Sequence, residues 1–159
     1  MLRSARLLVP TAARHVMQRR MASSEALSFT FVSQSQVFYN GQTVKQVDVP
    51  SYSAGQFGAL ADHVPILAFA KPGVVTVYEQ EGQVKKYFVS DGNITIDEDS
   101  NALLLQSTEA AEVSDLNVDA ARENLAKAQS KASSASTDAD KAEAQIEIEV
   151  NEAIIKAVE

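Results

Sequence analysis

The chain has 159 residues, enough for one compact domain with an appendage, and its lack of cysteine excludes both a disulfide framework and a Cys-ligated zinc site. Its formal net charge is −7, a sign that disfavours nucleic-acid phosphates and anionic lipid as partners. No apolar run approaches the ~20 residues needed to cross a bilayer as a helix.

The chain opens on a basic segment. Five arginines (Arg3, Arg6, Arg14, Arg19, Arg20) precede the first acidic residue, Glu25, and alternate with alanines and spaced apolar residues. Basic, acid-free and able to form amphipathic turns, residues 1–21 have the signature of a mitochondrial transit peptide, with Arg19-Arg20-Met21-Ala22 suited to a cut after Met21. A basic arm for nucleic acid is the alternative reading. Removing the five arginines takes the formal charge from −7 to −12. The remaining chain is expected to be soluble and peripheral, held near a membrane through other proteins.

Residues 27 to about 110 read as strands. Leu27, Phe29 and Phe31 alternate with Ser28 and Thr30, a period of two that gives one face to a core. Val37-Phe38-Tyr39 is followed by an Asn40-Gly41 pair, read as a turn, and then by a strand over residues 44–49. Pro50 is read as a stop. Gly55 and Gly58 flank Phe57 in an expected stiff loop presented for contact, since closely spaced glycines allow sharp folding of the backbone. Phe57 is either exposed for docking or folded inward as an anchor, the second being the commoner fate of a lone loop aromatic. A polar Asp62-His63 turn leads through Pro65 into a strand over residues 66–70, and Pro72-Gly73 turns again. Strands over 74–78 and 84–89 form a hairpin around Gly82. Asp91-Gly92 introduces Ile94-Thr95-Ile96, and the acidic cluster Asp97-Glu98-Asp99 introduces Leu103-Leu104-Leu105.

Composition changes after residue 109: alanine becomes frequent, and Phe, Tyr, Pro and Gly do not recur after Gly92. Val118, Ala121, Leu125, Ala128 and Ala132 fall on one helical face, with Asn117 as N-cap. Thr137-x-x-Asp140 is an acidic variant of the capping box and opens a second helix. Its expected seam is Ala139, Ala142, Ile146, Val150, Ala153 and Ala157. The short polar connection makes the two helices antiparallel. An alanine-rich seam buries little area against the entropy of ordering forty residues, so the hairpin needs a second surface. Ile148, Ile154 and Ile155 either supply that contact or widen one amphipathic face. The expected fold is therefore mainly β plus α: an N-terminal β-sandwich, a flattened barrel of about ten short strands, over residues 22–112, then an antiparallel helical hairpin over 113–159.

No catalytic constellation assembles. After removal of the leader His63 is the one histidine, and Asp62 beside it on an extended segment points away. The carboxylates around Asp97 and Asp138-x-Asp140 lack the alternation, central glycine and terminal glutamate of a calcium loop. Gly55-Gln56-Phe57-Gly58 has no following Gly-Lys-Ser/Thr and is not a phosphate loop. No cofactor and no metal are expected.

Four pieces of residues 47–75 stand at fixed spacings: Val47-x-Val49-Pro50, Gly55-x-Phe57-Gly58-x-Leu60, His63-x-Pro65 and Pro72-Gly73-x-Val75. In these the chain resembles the delta/epsilon family of F-type ATP synthase central-stalk subunits, and the resemblance extends over residues 27–159, mainly in architecture outside this pattern. It implies a non-catalytic role in proton-driven ATP synthesis at the matrix side of the mitochondrial inner membrane. The implied partners are the gamma subunit, the small mitochondrial epsilon subunit and the c-ring. It places Gly55, Gln56, Phe57, Gly58, Asp62, His63 and Pro65 at the ring-facing end. Some bacterial relatives bind ATP through Ile/Leu-Asp-x-x-Arg-Ala on the first helix. Here Val118, Asp119 and Arg122 follow that pattern while Glu123 departs from it, and an i, i+3 Asp–Arg pair is also an ordinary surface ion pair.

Overall fold

The computed structural model describes residues 26–97 and 101–159, which form nine strands followed by two helices. The basic leader and the cut expected after Met21 lie outside the described residues, as do Glu98 and Asp99 of the acidic cluster. The strands are β1 (Leu27–Ser33), β2 (Val37–Ser51), β3 (Gly55–Leu60), β4 (Ile66–Ala70), β5 (Gly73–Glu79), β6 (Val84–Val89), β7 (Gly92–Asp97), β8 (Ala102–Ser107) and β9 (Ala110–Glu112). After a 3-10 turn at Val113–Asp115 come α1 (Val118–Ser134) and α2 (Asp138–Val158).

Strand order is β1-β8-β7-β4-β2-β5-β6-β9, with β3 pairing β2 and β1 also pairing β2. The β1–β2 pairing and a single Ser51–Ala70 contact between β2 and β4 close part of this path into a flattened barrel. The 15-residue β2 makes closure possible by serving β1 with its first half and β3 with its second. The expected break at Asn40-Gly41 is not a turn. Phe31 faces Tyr39 and Phe29 faces Gln42, so β2 carries one extra residue there, a bulge that bends the strand without ending it. Gly41 takes φ +62 at that point, and its N–H bonds the Thr30 hydroxyl across the ladder at 3.0 Å.

Two further expectations change. Pro50 does not stop β2, and Gly55, Phe57 and Gly58 are not a loop: they belong to β3, in register with Ser51, Val49 and Asp48 of β2. The proline is tolerated because it pairs Gln56 in the last turn of the ladder, where an absent N–H is least costly. β9, unmarked in the sequence, is three residues long and pairs the end of β6.

The core follows the alternation read from β1. Leu27, Phe29 and Phe31 are fully buried, with Val47 and Val49 of β2, Val75 and Val77 of β5, Ile94 of β7, and Leu103 and Leu105 of β8. Tyr39 and Tyr87 bring two hydroxyls into this core end. The Tyr39 hydroxyl donates to Glu79 at 2.9 Å, and Lys85 Nζ meets the same Glu79 oxygen at 2.8 Å.

Both helix starts are capped as expected: the side chains of Asn117 and Thr137 accept the N–H groups of Ala120 and Asp140, each at 3.1 Å. The α1 seam holds, with Ala121 and Ala128 buried. The α2 seam is different. Ala144 is the buried residue of that helix, while Ala139, Ala142 and Ile146 are exposed. With alanines at so many positions, two stripes satisfy a helical period, and the smallest side chain at closest approach decides between them. The larger Ile146, Val150 and Ile154 turn instead toward the sandwich.

Candidate functional site

Of the residues that the resemblance places at one end, Gly55, Gln56, Phe57 and Gly58 lie along β3, and Asp62, His63 and Pro65 lie in the turn that follows it. Phe57 is partly buried and packs against the core, so it acts as an anchor rather than a docking knob. Its ring centroid lies 6.0 Å from that of His63. Gly55, Gln56, Asp62 and Pro65 are exposed, and His63 is half-buried. The His63 Nδ1 lies 2.7 Å from the Val64 carbonyl oxygen. A carbonyl only accepts, so Nδ1 carries the proton and donates.

Gly58 sits opposite Asp48 in the β2–β3 ladder. A Cβ there would lie 2.8 Å from both Asp48 Oδ1 and Gln46 Nε2. Those two atoms are hydrogen-bonded at 2.5 Å, and the Tyr78 hydroxyl donates to Asp48 Oδ2 at 3.2 Å. The Asp48 charge pushes the Tyr78 phenol above its ordinary value. Gly58 therefore leaves room for a polar tie along the paired strand β2 and on to Tyr78 of β5. Beside the turn, Leu60, Val64, Leu67 and Phe69 are between half and three-quarters exposed, an apolar rim along β3 and β4. Exposed apolar side chains of this size are a feature of surfaces that bind other proteins.

A second feature lay outside the reading of the sequence. A cleft of about 810 Å³ separates the sandwich from α2, with Tyr52, Phe69, Ile146, Glu149 and Val150 among its walls. It adjoins a smaller one of about 390 Å³ that reaches Phe88, Leu116 and Ile154. Nothing in the spacing of Tyr52 and Glu149, 97 residues apart, signals that they meet.

Asp119 and Arg122 lie in the first turns of α1, 3.9 Å apart, and Arg122 also approaches the Glu159 side chain at 3.6 Å. The guanidinium is shared between two carboxylates and ties the open end of the helical hairpin. Among the described residues, no three His, Cys, Asp or Glu side chains gather to hold a metal ion, and no helix is long and apolar enough to cross a membrane.

The sandwich matches the family described as ATP synthase, Delta/Epsilon chain, beta-sandwich domain, over residues 26–111. The chain belongs to this family. Residues 116–157 match a second description, the C-terminal domain of the metazoan delta subunit of F1F0-ATP synthase. The mitochondrial ATP synthase subunit delta of Caenorhabditis elegans is 43% identical over 136 residues, covering 86% of this chain and 82% of that one. That of Neurospora crassa is 36% identical over 155 residues, covering 96% and 93%. Among solved structures, a chain of the Euglena gracilis mitochondrial ATP synthase, determined with OSCP, F1 and the c-ring, superposes with a TM-score of 0.76 at 20% identity, covering 84% of this chain and 82% of that one. A chain of the Tetrahymena thermophila central stalk and c-ring gives 0.64 at 11%, covering 84% and 96%. These two likenesses establish the fold of sandwich and helical hairpin. The relatives matched are delta subunits of the mitochondrial ATP synthase, a non-catalytic component of its central stalk, and this chain belongs with them.

Proposed function

We propose that this chain is a rotor subunit of the mitochondrial F-type ATP synthase, coupling rotation of the c-ring to the gamma subunit of the central stalk during ATP synthesis. It works on the matrix side of the inner membrane, after removal of residues 1–21, and its further partner is the small mitochondrial epsilon subunit. The observation that carries this reading is the polar Asp62–His63 turn beside the exposed Leu60, Val64 and Leu67, borne on the buried core of the flattened barrel. A close-packed interior deforms little, so force applied at the turn is passed on through the core. The polar turn suits the polar loops of a membrane ring, and the apolar rim suits a broad, permanent protein contact.

The chain lacks cysteine, so a single Gln56→Cys variant gives one defined cross-linking position. In the intact complex it is expected to link to the c-ring and to leave rotation possible, since both sides of the link turn together. A link to the stationary arm that stops rotation would overturn the reading.

A nucleotide-sensing regulator built on Asp119 and Arg122 is the alternative. Arg122 would first have to leave Asp119 and Glu159. Heat on calorimetric titration of the full chain with ATP would favour the sensor; a flat titration removes it.

A further inference from the structure

The main-chain ladder stops on both sides of the Asp62–His63 turn: β3 ends at Leu60 and β4 starts at Ile66. Five residues between them are held by other means. The Asn101 side chain supplies one. Its Oδ1 accepts the Asp62 N–H at 2.9 Å, and its Nδ2 donates to the Ala26 carbonyl at 2.9 Å. Its main-chain carbonyl accepts the Ser28 N–H at 3.0 Å, which ties Asn101 itself to β1. Asn101 (φ 49) and Asp62 (φ 58) are both left-handed, a conformation that asparagine and aspartate bear better than other residues with a Cβ. Two strained backbone positions joined by one side chain describe a built support rather than an incidental contact.

We propose that Asn101 is the positioning residue of the Asp62–His63 turn: its amide holds the turn in the shape that meets the partner. The inference rests on the reading above, in which that turn docks on a polar loop of the turning ring. Docking costs less when the docking loop is ordered beforehand, so support at Asp62 strengthens binding without Asn101 touching the partner. Phe57 backs the turn from the core side, through its ring contact with His63, and Asn101 holds it from the side of β1 and β8.

Two variants of the full mature chain separate side chain from backbone. Asn101→Gly keeps the left-handed backbone and removes the amide. Asn101→Asp keeps an oxygen for the Asp62 N–H and tolerates the same backbone. Hydrogen exchange at the Asp62 amide reads the support directly. Binding to inner membranes stripped of this subunit reads docking. Asn101→Gly is expected to speed exchange at Asp62 by about tenfold and to weaken membrane binding by a similar factor, the scale of one lost hydrogen bond. The thermal midpoint should move little, and Asn101→Asp, which keeps the acceptor for the Asp62 N–H but loses the donor to the Ala26 carbonyl, should recover both readouts only in part. Unchanged exchange at Asp62 in Asn101→Gly would overturn the assignment of Asn101, whatever binding does. Faster exchange with unchanged binding would overturn the docking reading, and with it the functional role of the support.

Discussion

The Tyr52 hydroxyl donates to the Glu149 carboxylate at 3.3 Å, bridging the cleft between the turn after β2 and the middle of α2. Burial and then the Glu149 charge raise the Tyr52 phenol above its ordinary value, so it stays a donor throughout the physiological range. The rest of the cleft is open, and Ile146 on its lip is largely exposed. The hairpin is thus joined to the sandwich more loosely than its two helices are joined to each other, where Lys131 meets Glu147 at 2.8 Å.

Tyr52→Phe should therefore loosen the docking of α2 without unfolding either part. The bond is mostly solvent-exposed, so the expected effect is small, about a two- to fivefold rise in amide exchange along α2. The thermal midpoint of the sandwich should be unchanged. Uniformly slow exchange in α2 of the lone variant would show that the hairpin is held by other contacts.

An added Cβ meets different surroundings at Gly92 and at Gly58. A Cβ on Gly92 would lie 2.3 Å from the Gln106 carbonyl oxygen and 3.0 Å from Ser107 Cα. These are main-chain atoms of the paired strand β8, with nowhere to go. Gly92→Ala should cost about 2–4 kcal/mol, measured by urea unfolding. A Cβ on Gly58 meets the ends of two side chains, which swing aside. Gly58→Val should leave the sandwich folded, break the Gln46–Asp48 tie and impair coupling of proton flow to ATP synthesis in the assembled complex. Full coupling in that variant would remove the region from the contact surface.

Glu79 makes stability depend on pH at the acid end. The bond from Lys85, then that from Tyr39, holds its carboxyl below the usual carboxylate value. A depressed carboxylate stabilises the fold above its unfolded value and loses that contribution as pH falls through its folded one. Tyr39 gives the opposite limb. Burial, then its bonds with Tyr87 and Glu79, pushes its phenol far above the ordinary value, so stability falls as pH rises beyond about 10, where the unfolded tyrosine ionises. Glu79→Gln should flatten the acid limb of a plot of stability against pH. Its cost at pH 7 should be about 1 kcal/mol, kept modest because Lys85 is nearly half exposed.

Ser107 is buried, and its hydroxyl lies 2.7 Å from the Asp91 carbonyl oxygen and 2.6 Å from that of Glu109. It bridges the turns on either side of the β7–β8 pair. Ser107→Ala leaves those carbonyls without this partner and should cost about 1–3 kcal/mol in thermal or urea unfolding.

Local chemistry accounts for what was legible in the sequence. The alternation of Leu27, Phe29 and Phe31, the caps at Asn117 and Thr137, and the bounds of the strand over 66–70 each depend on residues within one element. So does the order of sandwich before helices. The misread elements share a different cause. Asn40-Gly41 is a turn or a bulge according to whether the chain on each side pairs with the same neighbour, and β1 settles that from outside. Gly55 to Gly58 has the composition of a loop, and β2 makes it a strand.

The candidate site divides along the same line. Short-range signals, the spaced glycines and the His63-x-Pro65 pair, carried the resemblance that nominates residues 55–65 as a contact region. Its support was not legible. Asn101 reaches Asp62 across 39 residues, Tyr52 reaches Glu149 across 97, and Ala144 rather than Ala142 is buried. A hydrogen bond of 3 Å is decided by where two backbones arrive in space, and an alanine-rich helix offers the same small side chain to every direction. Sequence by itself determined which segments pleat, coil and cap, because those depend on neighbours along the chain. Only the packing of the sandwich against its own strands and against α2 decided which distant residues touch, because short-range order carries no information about that meeting.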